Sequence, residues 1–330
     1  MHSRSGPAHS WQAMNRRASL TLIGGLAVSL AGCGRVTPLD SRPPTVALVM
    51  KSLANEFFVT MEAGARQHQV QHAERYRLLT NGIANESNLA EQVAIIDDMI
   101  AAGAAALVIA PADSKAIVPA VVRARRAGLF VVNIDNRLDR AVLAQYATSV
   151  PFVGPDNREG AARVGAVLAE RLKPGEQVAV LEGITSADNS IQRRNGLLDA
   201  ARTAGLEVVT VQSAEWDQAK AESLTSAILI RYPNLAAMMC ANDSMALGAA
   251  AAIDRAGKTA RVKVTGFDNI SAIRPLIASG AVTATADQHG SELAVYGIEY
   301  ALQSLAGARD FPDRMTPVDI VDAAALSARG

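Results

Sequence analysis

Val46-Ala47-Leu48-Val49-Met50 is an unbroken apolar run, closed by Lys51 and followed by Asn55-Glu56-Phe57-Phe58. A run this short, with polar residues at its end, reads as a strand buried on both faces, as in the middle of a parallel sheet. Residues 106–110 and 130–134 read the same way, as do 177–181, 208–211, 236–240 and 263–265 farther on. Between these runs the period changes. Leu89, Val93, Ile96 and Ile100 recur at near-helical spacing, and so do Val118, Val121 and Val122. Asp156 with Glu159 forms a capping-box pattern that opens a helix through Val164, Val167, Leu168 and Leu172. Strand–helix units repeated this often imply doubly wound parallel sheets, and there are enough units for two α/β lobes.

The bulk composition agrees. A chain of 330 residues, 49% hydrophobic and 19% charged, fits two lobes of ordinary size. Lys+Arg and Asp+Glu are 32 each, so the basic surplus that would hold nucleic acid is absent, and no nucleic-acid partner is expected. Cys240 lies in the apolar run Ala236-Ala237-Met238-Met239-Cys240 and reads as a small buried hydrophobe, which leaves no disulfide framework.

The N-terminal stretch reads as an address. Arg16-Arg17 precedes an uncharged apolar segment, residues 18–32, that is too short to span a bilayer comfortably. It ends in Leu30-Ala31-Gly32-Cys33, which resembles the lipobox of bacterial lipoproteins and implies a lipid anchor on Cys33. Met14 is an alternative start, and Arg16-Arg17-Ala18-Ser19-Leu20 partly resembles a twin-arginine signal, so both export routes stay open. Residues 34–44, with Pro38, Pro43 and Pro44, read as an extended tether. The expected location is the periplasm or cell envelope, anchored to membrane.

In open α/β sheets, ligands bind beyond the carboxyl ends of the strands. That rule selects Lys51 and Asn55 after the first strand and Asp135-Asn136-Arg137 after residues 130–134. In the second half it selects Trp216-Asp217, Asn242-Asp243 and Phe267-Asp268-Asn269. Carboxylates accept hydrogen bonds from vicinal hydroxyls, Arg and Asn donate to them, and Phe57, Phe58 and Trp216 offer faces for the apolar side of a ring. The set suits a sugar or polyol. Asp and Asn after strands also serve simply as helix caps and turn formers, and both readings stay open. No nucleotide-binding glycine loop, His-Glu-x-x-His, Gly-x-Ser-x-Gly or spaced Cys/His metal set occurs, so neither an enzyme nor a cofactor or metal is expected. His289, beside Gln288, and Asp97-Asp98 on a helix read as structural and solvated, respectively.

From residue 45 to 321 the chain resembles the ribose-binding branch of the periplasmic sugar-binding family. The segments that carry the resemblance are Val46-Ala47-Leu48-Val49 with Asn55-Glu56-Phe57-Phe58, Asn133-Ile134-Asp135-Asn136, and Asn242-Asp243-Ser244-Met245-Ala246-Leu247-Gly248-Ala249. Val264-Thr265-Gly266-Phe267-Asp268 and Thr285-Ala286-Asp287-Gln288 continue it in order. The resemblance implies a type I periplasmic binding fold, two parallel-sheet lobes joined by a three-strand hinge. It implies an N-terminal lobe of residues 45–153 and 288–316 and a C-terminal lobe of 154–287 and 317–330, after a signal peptide of 1–33. It implies ligand roles for Asn55, Phe57, Phe58, Asp135, Arg193, Trp216, Asn242, Asp268 and Gln288. Lys51 stands where ribose binders have a small hydroxyl residue and Asn136 where they have an arginine; both are taken as ligand-binding, and together they point away from ribose. Arg137 is either a shifted substitute or a surface charge. The implied protein is the monomeric solute-binding component of an ABC importer, working with a membrane permease. A receptor for a sugar-like signal is the alternative on the same scaffold. A lactose-repressor-type regulator would need a DNA-binding helix-turn-helix where this chain has its export signal and tether.

Overall fold

The computed structural model describes residues 42–329; the leader, Cys33 and the tether through residue 41 lie outside them. β1 (Thr45–Met50) is buried along nearly its whole length because helices cover both faces. Val46, Leu48 and Met50 pack in one apolar cluster with Phe57, Phe58, Met61 and Ile298. Ala47 and Val49 point the other way, toward Ile95, Ile96 and Val121. Successive side chains of a strand alternate faces, so a strand covered on both must be apolar throughout.

From β1 the chain runs through α1 (Glu56–Gln71), β2 (Arg77–Gly82), α2 (Leu89–Ala101), β3 (Ala106–Ile109), α3 (Val118–Arg126), β4 (Phe130–Ile134), α4 (Arg140–Gln145) and β5 (Phe152–Pro155). A second series follows: α5 (Asn157–Ala169), β6 (Gln177–Glu182), α6 (Asp188–Thr203), β7 (Glu207–Ser213), α7 (Gln218–Arg231), β8 (Leu235–Cys240), α8 (Asp243–Arg255) and β9 (Lys263–Thr265). A 3-10 turn (Ser271–Ile273) leads into α9 (Arg274–Ala278), then β10 (Ala284–Asp287), α10 (Gly290–Leu305), β11 (Arg314–Thr316), β12 (Asp319–Asp322) and α11 (Ala323–Arg329).

The strands form two six-stranded sheets, ordered β11-β5-β4-β3-β1-β2 and β12-β10-β9-β8-β6-β7. All paired neighbours run parallel except the edge strand β12, which is antiparallel to β10. Without β11 and β12, each sheet has the doubly wound order whose switch point lies beside its first strand. The two α/β lobes read from the sequence are therefore present. The chain passes between the sheets after β5, after β10, and between β11 and β12.

β2 escapes a search for apolar runs. Its Leu78 and Leu79 are flanked by Arg77, Thr80 and Asn81, and as an edge strand it stays partly exposed. β7, at the matching edge of the second sheet, is half-buried for the same reason. Asp156 does cap α5, accepting from Glu159 N at 2.9 Å, but the helix stops at Ala169, short of Leu172.

One buried amide fixes the strand ends beneath the site. Gln92 of α2 donates Nε2 to Met50 O (3.1 Å) and Ala110 O (2.9 Å), and its Oε1 accepts from Ala112 N (2.8 Å). It thereby ties the carboxyl ends of β1 and β3 and satisfies main-chain groups that the ladder leaves over. Asp97 pairs with Arg123 at the surface. Cys240 is a buried free thiol, and burial pushes its pKa up, as the hydrophobic reading requires. Among the described residues no helix is long and apolar enough to cross a membrane, and no cluster of three or more His, Cys, Asp or Glu could hold a metal ion.

Candidate functional site

The carboxyl ends of both sheets border one cavity of about 240 Å³. From the first lobe come Lys51 after β1, Asn55, Phe57 and Phe58 at the start of α1, Glu86 after β2, and Asp135 after β4. From the second come Asn189 and Arg193 on α6, Trp216 after β7, Asn242 after β8, Asp268 after β9, and Gln288 after β10.

In the first lobe Lys51 Nζ lies 3.0 Å from Asp135 Oδ2, with the two side chains only 3% and 2% exposed. The ammonium sits between aromatic faces, 5.7 Å from the Phe58 centroid and 5.8 Å from that of Trp216, where ring quadrupoles favour a cation. Asn55 uses its Oδ1 to cap α1, accepting from Phe57 N at 3.1 Å, and its Nδ2 to donate to Glu86 Oε1 at 3.2 Å. Burial raises the pKa of Glu86, against the opposing pull of Lys51 and the Asn55 hydrogen bond.

In the second lobe Arg193 is held through two of its three guanidinium nitrogens. Its Nε donates to Asn157 Oδ1 (2.7 Å), and its Nη1 donates to Ala241 O (3.1 Å) and Asp268 Oδ1 (3.3 Å). The guanidinium lies 3.8 Å from the centroid of Phe267. Gln288 Nε2 donates to the same Asp268 oxygen at 2.7 Å. Burial raises Asp268 well above the usual carboxylate range; Arg193 opposes the shift, and Asp243 and Asp135 add to it. Behind this pair the Asp243 carboxylate accepts from the Thr285 hydroxyl (2.6 Å) and Ile270 N (3.0 Å). Burial pushes Asp243 up to about 7 although these bonds and Arg193 favour its charge. Asn242 caps α8 by accepting from Met245 N at 2.9 Å.

Backbone strain gathers here. Asp135 (φ 61°), Trp216 (φ 69°) and Asp268 (φ 123°) all line the cavity in positive-φ conformations that ordinary side chains disfavour. Trp216 is also pressed onto Gly183, where an added Cβ would meet its ring at 2.0 Å, so only glycine admits the indole.

Apart from Asp135 Oδ2, which has its ion pair with Lys51, five buried polar atoms of the lining have no hydrogen-bond partner: Glu86 Oε2, Asn189 Oδ1, Arg193 Nη2, Trp216 Nε1 and Gln288 Oε1. Buried polar groups are nearly always paired, so a cluster of orphans marks a surface built to meet a polar ligand. Donors and acceptors are mixed, and the rings of Phe57, Phe58 and Trp216 add apolar faces.

Of the residues expected from the sequence, Lys51, Asn55, Phe57, Phe58, Asp135, Arg193, Trp216, Asn242, Asp268 and Gln288 are brought together. Asn136 is placed elsewhere: its Nδ2 donates to Pro111 O (2.9 Å) and its Oδ1 accepts from Ser114 Oγ (3.2 Å) and Asn189 N (3.1 Å). Arg137 pairs with Asp313 at 2.5 Å and stacks over Phe152, which makes it a surface charge. His289 bonds to Asp319 at 3.1 Å and does not line the cavity. Glu86 and Asn189 were not legible. Glu86 follows β2, and the strand-end rule would have found it had that edge strand been recognised. Asn189 lies in the first turn of α6, and the sequence offers no signal for it.

Two lobes with a polar, aromatic-walled cavity between their strand ends define a cleft-type solute-binding protein. The family model described as "Periplasmic binding protein domain" matches residues 46–309. The D-ribose/D-allose-binding protein of Pseudomonas aeruginosa is 48% identical over 94% of this chain and 100% of its own length. The D-allose-binding periplasmic protein of Escherichia coli is 30% identical over 84% of this chain and 89% of its own. The crystal structure of an ABC transporter solute-binding protein from Actinobacillus succinogenes with bound D-allose superposes with a TM-score of 0.82 at 31% identity, covering 86% of this chain and 99% of that one. The chain belongs to the periplasmic binding proteins, in their ribose- and allose-binding branch. It is the solute-binding component of an ABC importer, a binding protein and not an enzyme.

Proposed function

We propose that the cavity takes one neutral aldose, D-allose in preference to D-ribose, and that the two lobes close over it. The observation that carries this reading is the set of five unpartnered polar atoms, donors on Arg193 and Trp216 and acceptors on Glu86, Asn189 and Gln288. A sugar hydroxyl both donates and accepts, so neighbouring hydroxyls can satisfy both kinds. Lys51 and Arg193 each already face a carboxylate, Asp135 and Asp268 respectively, which disfavours an acidic sugar. The names of the Pseudomonas and Escherichia relatives and the D-allose in the Actinobacillus structure support the choice of sugar.

In this reading Arg193 and Lys51 donate to hydroxyls, with Asn55, Asn242 and Gln288 adding amide contacts. Asp135, Asp268 and Glu86 accept, and Phe57, Phe58 and Trp216 cover the ring. Residues 45–153 with 288–316 and residues 154–287 with 317–330 move as two bodies about the three crossings, in the manner of hinge closure. The protein is held to the envelope by lipid on Cys33 and hands its sugar to a membrane permease. A thermal-shift series with D-allose, D-ribose, D-glucose and myo-inositol tests the ligand, since a ligand selective for the folded state raises Tm by mass action. The largest rise is expected with D-allose and a smaller one with D-ribose; no rise with either would sink the reading. Cys33→Ala should abolish acyl labelling in cells, and unchanged labelling would remove the anchor.

A further inference from the structure

Two helix ends in the second lobe lack caps of their own. α6 starts at Ala187 and the turn entering α9 at Ile270, and neither side chain can accept a hydrogen bond. Three other helices that follow strand ends are self-capped, by Asn55 for α1, Asp217 for α7 and Asn242 for α8, whereas α3 and α10, like α6, have no side-chain cap of their own. A helix start leaves main-chain N–H groups without partners, and a short polar side chain normally meets them.

Here side chains of the first lobe meet them. Asp188 N donates to Ser114 Oγ (2.8 Å) and Asn189 N to Asn136 Oδ1 (3.1 Å), and the Ser114 hydroxyl in turn donates to that Asn136 oxygen (3.2 Å). Ser271 N donates to Glu56 Oε1 (2.6 Å) and Ala272 N to Glu56 Oε2 (3.4 Å). Partial burial acts to raise the pKa of Glu56, but these bonds and the nearby Arg274 hold it below the usual carboxylate range. None of Glu56, Ser114 and Asn136 lines the cavity.

We infer that Glu56, Ser114 and Asn136 are helix caps supplied across the cleft, which set the balance between closed and open protein and so scale affinity for every ligand alike. The inference rests on the reading that the lobes close over the sugar. Opening would strip both helix starts of their caps, so the caps stabilise the closed form only. Apparent affinity follows the fraction of binding-competent protein, and a residue that acts on that fraction changes all affinities by one factor. A residue touching the sugar changes their ratio.

The test uses the full chain, as wild type and as Glu56→Ala, Ser114→Ala, Asn136→Ala and Glu56→Gln. Each alanine variant should weaken D-allose and D-ribose by the same factor, roughly 2- to 30-fold, the range of a lost helix cap. Glu56→Gln keeps an accepting oxygen and should recover part of the loss. Because Asn136→Ala also removes the bond to Pro111 O, Glu56→Ala and Ser114→Ala carry the decision. Unchanged affinities, or a changed ratio between the sugars, would overturn the inference. Spin labels on the two lobes report closure directly, with and without sugar, and the closed fraction should fall in Glu56→Ala. Identical distance distributions in wild type and variant would overturn the inference even if neither sugar binds; failure of the wild type to bind either sugar would count against the proposed ligand alone.

Discussion

Each rim of the cavity carries one buried ion pair, and the two pairs are built differently. Lys51 and Asp135 rest on one another and on two ring faces. Arg193 and Asp268 are embedded in their lobe, with bonds to Asn157, the Ala241 carbonyl and Gln288 and a stack on Phe267. Removing charges from water costs several kcal/mol per ion, and the cost is offset only where extra hydrogen bonds surround the pair. The second-lobe pair has those bonds before ligand arrives. The first-lobe pair has few, so on the proposed reading more of its satisfaction falls to the sugar. That reading makes the second lobe the preformed half of the site and the first the half that selects.

The largest effect should come from breaking the preformed pair. Arg193→Ala or Asp268→Ala is expected to weaken sugar binding by roughly 2–5 kcal/mol, much of it from a charge left buried and alone. Titration calorimetry checks this, and wild-type affinity in both variants would remove the pair from the site. Arg193→Ala should also lower the ligand-free Tm, because Asn157 and the Ala241 carbonyl lose their donor.

Replacing both partners separates the lobes further. Lys51→Met with Asp135→Leu should leave ligand-free stability unchanged or improved, because a buried pair with few other bonds is often no better than packed hydrophobes. Arg193→Met with Asp268→Leu should cost about 1–3 kcal/mol, since buried partners outside the pair are orphaned. Chemical denaturation measures both, and equal costs would erase the distinction between the two pairs.

Asp243 gives the second lobe a pH signature. Its pKa rises on folding from 3.8 to about 7, mainly through burial. A carboxyl raised in the folded state contributes stability that is full below 3.8 and is lost as pH rises through about 7. The unfolding free energy of the wild type, measured against that of Asp243→Asn, should therefore fall across that window, with a slope no steeper than about 1.4 kcal/mol per pH unit for one proton. A flat difference would place the proton elsewhere in the cluster.

The smallest effect is expected at Glu86. Burial favours its neutral form, which an amide imitates, so Glu86→Gln should change affinity by about 1 kcal/mol or less. A loss as large as that of Asp268→Ala would show that Glu86 binds as a full carboxylate.

The sequence by itself determined the two-lobe architecture and most of the site. Strands covered on both faces are apolar nearly throughout, so residues 46–50 and 236–240 announce themselves, as do 130–134 despite the buried Asn133, and polar residues just beyond them wall the cavity. Edge strands such as β2 carry no such run, because one side faces water, and with β2 went Glu86. The tertiary structure alone decided the fate of Asn136. Its place after β4 is the same kind of place as that of Asp135, yet the positive φ of Asp135 sends the two side chains to different partners, one toward Lys51 and the other to Ser114 and the start of α6. Asn55 and Asn242, read as either caps or ligand groups, turned out to cap helices and line the cavity at once. A sequence fixes which residues follow a strand, because that depends on local periodicity. Which way each side chain then points depends on the backbone turn and on a facing lobe more than fifty residues away in the chain, and neither is written in the local pattern.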